Sequence, residues 1–192
     1  TDTLFVGGVN DGKKDSYHTQ KHSGNILAEI VKGNFISTST VMVTREAFLR
    51  VGGFDESLKS IHDWELWTRL AAEFPVAHLD EPLTYYRVHP SSTSRSTRKT
   101  LPNHLQVIEK IFDKSGAGAD FQGLKHNAKA KSCGICSYIA EEEGDLSFAL
   151  WCAVLAWRYE AISITRGARV MKVLTKYTLS AFRKINVLGE KN

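Results

Sequence analysis

The chain of 192 residues, 42% of them hydrophobic and 24% charged, has the composition of an ordinary globular protein and the length of one domain or a domain with an appendage. Its net charge of +4 falls short of the dense basic stripe that nucleic-acid binding needs, and no apolar run is long enough to span a bilayer. The three cysteines cannot all pair within the chain, which argues against a disulfide framework and for a reducing, cytoplasmic setting.

In chain order, residues 4–6 read as a short strand running into Gly7 and Gly8, and 10–25, polar around Asp11-Gly12, as a loop or a hairpin end. Residues 26–32 form a short amphipathic helix broken by Gly33, and 35–44, rich in Thr, Ser and Val, have the composition of a strand. Thr44 is a good N-cap for a helix over 45–51, and Gly52 can take the left-handed conformation that stops it. A second helix is expected from near Ser60, as cap, to about Phe74, with Pro75 as the stop. Residues 76–79 and 83–88 read as two strands about the turn Asp80-Glu81-Pro82, and 91–100 as a solvated polar loop.

From Leu101 the character changes. Pro102 opens a helix to about Lys114, and residues 115–119 are a linker. Residues 124–143 and 146–159 make two helices joined at Gly144-Asp145, resembling a single tetratricopeptide-type unit that must pack on the rest of the chain or on a partner. Cys133 and Cys136 lie within the first of them and, with no second pair or histidine at zinc spacing, read as core. The last helix, 166–185, is amphipathic and basic. Val170, Val173, Leu174, Tyr177, Ala181 and Ile185 form its apolar stripe, with Arg169, Lys172, Lys176, Arg183 and Lys184 largely off it. The stripe either packs on the preceding hairpin or adheres to an anionic membrane surface.

Two acids open the helix after Ser60. Asp63 precedes Leu66 and Trp67 by three and four residues, so it heads the face continuing through Leu70, Ala71 and Phe74. A carboxylate there loses hydration and becomes a better proton acceptor; it could also simply cap its helix. Glu65 lies on another face, four residues before Arg69, and reads as a solvated ion-pair partner.

The order Gly52-Gly53-Phe54-Asp55-Glu56, then Asp63-Trp64-Glu65-Leu66-Trp67, then Glu81-Pro82-Leu83, then Tyr86-Arg87-Val88-His89 with Ser94 beyond, resembles the inverting family 2 glycosyltransferases of the GT-A fold. The resemblance covers roughly residues 1–95 and implies an α/β fold: the C-terminal half of a GT-A domain over 1–100, followed by an α-helical extension over 101–192. It implies a nucleotide-diphosphate sugar donor, a glycan or lipid-linked hydroxyl acceptor, and a divalent metal, Mn or Mg. Asp63 would be the general base. Gly53, Phe54 and Trp64 would shape the sugar site, and Arg87 would pair with the diphosphate. Ser94, in a loop acting as a lid, would close over that diphosphate, and His89 would join the metal. His62 stands where many members carry Glu, so any role of that acid is lost or altered. The Asp-x-Asp motif that mainly holds the metal has no counterpart in the 192 residues, and the chain opens at Thr1. The expectation is therefore a fragment lacking the nucleotide-binding half, unable alone to bind donor tightly or turn over, from a parent at the inner face of the plasma membrane. The rival reading is a helical interaction or membrane-adaptor module carrying a degenerate half-domain.

Overall fold

The computed structural model describes residues 1–8, 10–17, 19–88 and 96–189. In chain order they form β1 (Asp2–Val6), α1 (Leu27–Ile30), α2 (Arg45–Arg50), α3 (His62–Glu73), β2 (Pro82–Arg87), α4 (Thr97–Ile111), α5 (Lys125–Glu142), α6 (Leu146–Tyr159) and α7 (Ile164–Gly189). β1 and β2 form a parallel pair, with Thr3 opposite Thr84 and Val6 opposite Arg87. Of the two strands expected at 76–79 and 83–88 only the second forms, as β2, and its partner is the strand that opens the chain. Residues 76–79 contribute one bridge, in which Val76 and Gly24 exchange backbone hydrogen bonds of 2.6 and 2.9 Å. The outer side of β1 is covered by the turn at 10–14, where Phe5 donates to the Lys13 carbonyl (3.0 Å) and Gly12 to that of Phe5 (2.9 Å). β2 has no such cover among the described residues, and its Leu83 and Tyr85 are exposed.

Residues 35–44 are not a strand either. Thr40 donates to the Ser37 carbonyl from both its N–H (3.0 Å) and its hydroxyl (2.7 Å), winding residues 38–40 into a 3-10 turn. Ser and Thr hydroxyls compete for the backbone in this way. α2 follows expectation: Thr44 Oγ1 accepts from Ala47 N–H at 3.2 Å, and Gly52 closes the helix at φ 83°. α3 departs at its start. Ser60 does not cap it; its hydroxyl accepts from Asn103 Nδ2 on α4 (2.8 Å), and the residue leading into the helix is Ile61 at φ 62°. A β-branched residue is strained in that left-handed region, and such strain persists only where the surroundings fix it.

α3 lies at the centre of the first core, where Trp64, Leu66, Leu70 and Ala71 pack with Ile26, Ile30, Val31 and the α4 residues Val107, Ile108 and Ile111. α4 begins at Thr97 rather than at Pro102, and the Thr97 hydroxyl donates to Glu143, just past the end of α5 (2.8 Å). Its Leu101 joins a second core with Cys133, Cys136, Phe148, Cys152 and Val173. A division at residue 100 thus falls inside one helix shared by both cores.

α5 and α6 form the expected helical hairpin, turning at Gly144 (φ 79°), with Asp145 accepting from Phe148 N–H at 3.1 Å as the cap of α6. Hydrogen bonds from the Arg98 guanidinium hold the Asp145 carboxyl down to about 2. Cys133 and Cys136 are core residues, burial pushing their thiols up to about 12 and about 11. α7 packs on α6 through only part of its stripe: Val173 is buried, whereas Leu174 and Tyr177 are exposed, and the side chains of Ala181 and Ile185 lie outside the described residues. Arg169, expected off the stripe, is buried. Its guanidinium sits 3.8 Å over the Tyr138 ring, donates to the Ser137 carbonyl at 2.9 Å and pairs with Glu141. Among the described residues no helix is long and apolar enough to cross a membrane.

Candidate functional site

Asp63, in the first turn of α3, is half-buried. Its Oδ2 accepts from Asn34 Nδ2 (3.2 Å) and Thr38 Oγ1 (2.7 Å), and its Oδ1 from the Trp64 backbone N–H (2.9 Å). A carboxylate offers about four acceptor positions. Three are taken here, leaving the fourth on Oδ1. Asn34 and Thr38 belong to a connector that also grips the sheet: the Thr84 hydroxyl donates to the Ser39 carbonyl (3.3 Å), and the Thr1 amino group to that of Thr40 (3.1 Å). One segment therefore ties Asp63 to β1 and β2. Between that connector and the sheet opens a cavity of 220 Å³, lined by Thr3, Phe5, Asp15, Asn34, Ser37 and Tyr86 among others. A larger cavity, 580 Å³, lies apart from Asp63 between α3 and α4, and its charged walls apart from Asp113 are already ion-paired, Glu65 with Arg69, Lys110 with Asp55, and Glu109 with Lys125 and Lys129.

Sequence reasoning missed the partners of Asp63, because Asn34 and Thr38 lie far from it along the chain. It also gave His104 no role. That residue, on α4, sets its ring 6.1 Å from that of Trp64, and its Nδ1 is buried with no hydrogen-bond partner. Burial pushes the imidazole below the ordinary histidine value, opposed by the charge of Asp63.

Glu65 pairs with Arg69 through two hydrogen bonds of 2.7 Å, as its spacing implies, but at 5% exposure it is buried rather than solvated. The same guanidinium donates to the Gly53 carbonyl (2.7 Å) and to that of Val51, clamping the Gly52-Gly53 turn onto α3. Gly53 is at φ 69°, and a Cβ there would stand 3.2 Å from the Phe48 ring. Phe54 is exposed and meets Phe48, His62 and Trp67 edge to face at 5.8, 5.3 and 6.4 Å. Gly53 and Phe54 are thus brought beside the start of α3.

Trp64 is not available as a wall for a sugar. It is fully buried, and its indole N–H donates to the Ile30 carbonyl at 2.7 Å, so it belongs to the core. Arg87 is exposed at the end of β2. His89 and Ser94 lie outside the described residues. Among the described residues no group of three or more His, Cys, Asp or Glu side chains could hold a metal ion.

Comparison with known proteins bears on the segment that builds this site. Over 73 residues the chain is 34% identical to a Haemophilus influenzae protein named "Uncharacterized glycosyltransferase", a match covering 37% of this chain and 24% of that protein. The chain thus spans about a quarter of the length of the curated relative it matches. No solved structure matches. Residues 17–110, from the loop before α1 through nearly all of α4 and including Asn34, Thr38, Asp63 and Arg69, match the model of the family described as glycosyltransferase like family 2.

Proposed function

We propose that the chain is part of a glycosyltransferase that moves a sugar from a nucleotide-diphosphate donor to a hydroxyl acceptor with inversion. The family match over residues 17–110 supports transfer, and one observation supports the role of Asp63: its carboxylate is fixed by Asn34 and Thr38 with one acceptor position unfilled. In this reading the acceptor hydroxyl donates its proton to Oδ1 of Asp63 as its oxygen attacks the anomeric carbon. The bond from that carbon to the diphosphate oxygen breaks on the opposite side, and the nucleoside diphosphate leaves with the bonding pair. A single displacement of this kind inverts the anomeric centre. Arg87 stands at the end of β2, where its guanidinium would suit a diphosphate, and Phe54 would give the sugar an exposed aromatic edge.

The sheet supports a partner for this half-site. Parallel strands are almost always covered on both faces, and a two-stranded pair is marginal alone, yet β2 leaves one edge open and exposes Leu83 and Tyr85. We infer that further strands complete it and carry the nucleotide-binding residues.

The test is to incubate the intact gene product with a panel of nucleotide-diphosphate sugars and hydroxyl acceptors, following nucleoside diphosphate release and product configuration by proton NMR. The expected result is stoichiometric release with an anomer opposite to that of the donor. Release with retained configuration, or none from any donor, would contradict the proposal.

A further inference from the structure

The corner between α6 and α7 exposes an apolar cluster that neither core uses. Ile162, in the turn, is 98% exposed, Ile164 87%, Met171 61% and Trp157 43%. Ile164, Gly167 and Met171 follow one another at helical spacing on α7, and a Cβ at Gly167 would stand 3.6 Å from Trp157 Nε1, so the α7 residues and the α6 tryptophan share one face. The Trp157 indole N–H is satisfied internally, donating to the Ala161 carbonyl at 3.1 Å. The ring can therefore enter an apolar medium with no unpaired donor.

The charge around this cluster selects its occupant. α7 carries Arg166, Arg169, Lys172, Lys176, Arg183 and Lys184 and no acidic residue. On its inner side Arg166 pairs with Glu160, and Arg169 and Lys176 with Glu141. Arg158 and Lys172, both exposed and without an ion-pair partner among the described residues, directly follow Trp157 and Met171 in the sequence. Lysine is depleted from the centres of protein interfaces, whereas Trp and aliphatic side chains ringed by unpaired cations mark a surface that lies on anionic lipid.

We propose that the α6–α7 corner docks on an anionic phospholipid surface, with Trp157, Ile162, Ile164 and Met171 entering the headgroup boundary and Arg158 and Lys172 meeting lipid phosphates. The docking face is not the whole α7 stripe, since Val173 is spent on the second core. The proposal stands independently of sugar transfer.

The test is sedimentation of the 192-residue chain with vesicles of phosphatidylcholine alone and of phosphatidylcholine with one-third phosphatidylglycerol. Preferential binding to the anionic vesicles is expected, lost at high salt and weakened roughly tenfold by Ile162→Asp with Ile164→Asp. Both positions are almost wholly exposed, so circular dichroism of the double variant should match that of the parent. Equal sedimentation with both vesicles, or anionic binding untouched by the double variant, would overturn the proposal. So would a dimer that the double variant dissociates in the absence of any lipid binding, which would assign the cluster to a second copy.

Discussion

Asp63→Asn in the intact gene product is expected to lower sugar transfer by on the order of 10³-fold, the usual worth of a positioned general base. The amide keeps the shape of the carboxylate and can still accept from Thr38 or from the Trp64 N–H, so the connector should stay docked. It cannot take a proton from the acceptor. The cost to stability should be about 1 kcal/mol, one weakened charge-assisted hydrogen bond, or a Tm lower by about 3 °C. The same three bonds favour a second reading, in which Asp63 only staples the 34–40 connector to α3. Initial rates and thermal unfolding measured together separate the two: a staple loses stability and keeps its rate, a base loses rate and keeps most of its stability.

Arg69→Met is expected to cost about 3 kcal/mol in urea unfolding, because it strands a buried carboxylate. Glu65 would be left at 5% exposure with no cation beside it, and the carbonyls of Val51 and Gly53 would lose their donor. The double variant Glu65→Leu with Arg69→Met should be more stable than the single one, since replacing both members of a buried pair by apolar residues is often nearly neutral. A remaining deficit of about 1 kcal/mol would belong to the two carbonyls. Additive losses in the double variant would show that the pair is not the source of the effect.

Local chemistry was readable where a residue acts on its own neighbourhood. Thr44 and Gly52 bound α2, Gly144 and Asp145 turn the α5–α6 hairpin, and the four-residue spacing of Glu65 and Arg69 gives their ion pair. What the sequence hid was long-range. The Ser and Thr of 37–40 bond their own backbone, so a strand-like composition yields a 3-10 turn, and that turn delivers Thr38 to Asp63. β2 pairs with β1 although α1, α2 and α3 lie between them in the sequence, which no local pattern announces. Helical spacing put Arg169 on the polar side of α7, but Ser137, Tyr138 and Glu141 on α5 supply its carbonyl, aromatic face and carboxylate, and so it is buried. The same blindness applied to Glu65 and Trp64. α3 is surrounded rather than half-covered, so a single apolar face was too simple a description of it.

The most direct test of the central claim is a crystal structure of the intact gene product with a nucleoside diphosphate and a hydroxyl acceptor bound. The attacking hydroxyl oxygen is expected within hydrogen-bond reach of Oδ1 of Asp63, roughly 2.6–3.2 Å away, with Asn34 and Thr38 still on Oδ2. An acceptor hydroxyl paired with a different carboxylate, while Asp63 remains closed to it, would contradict the account.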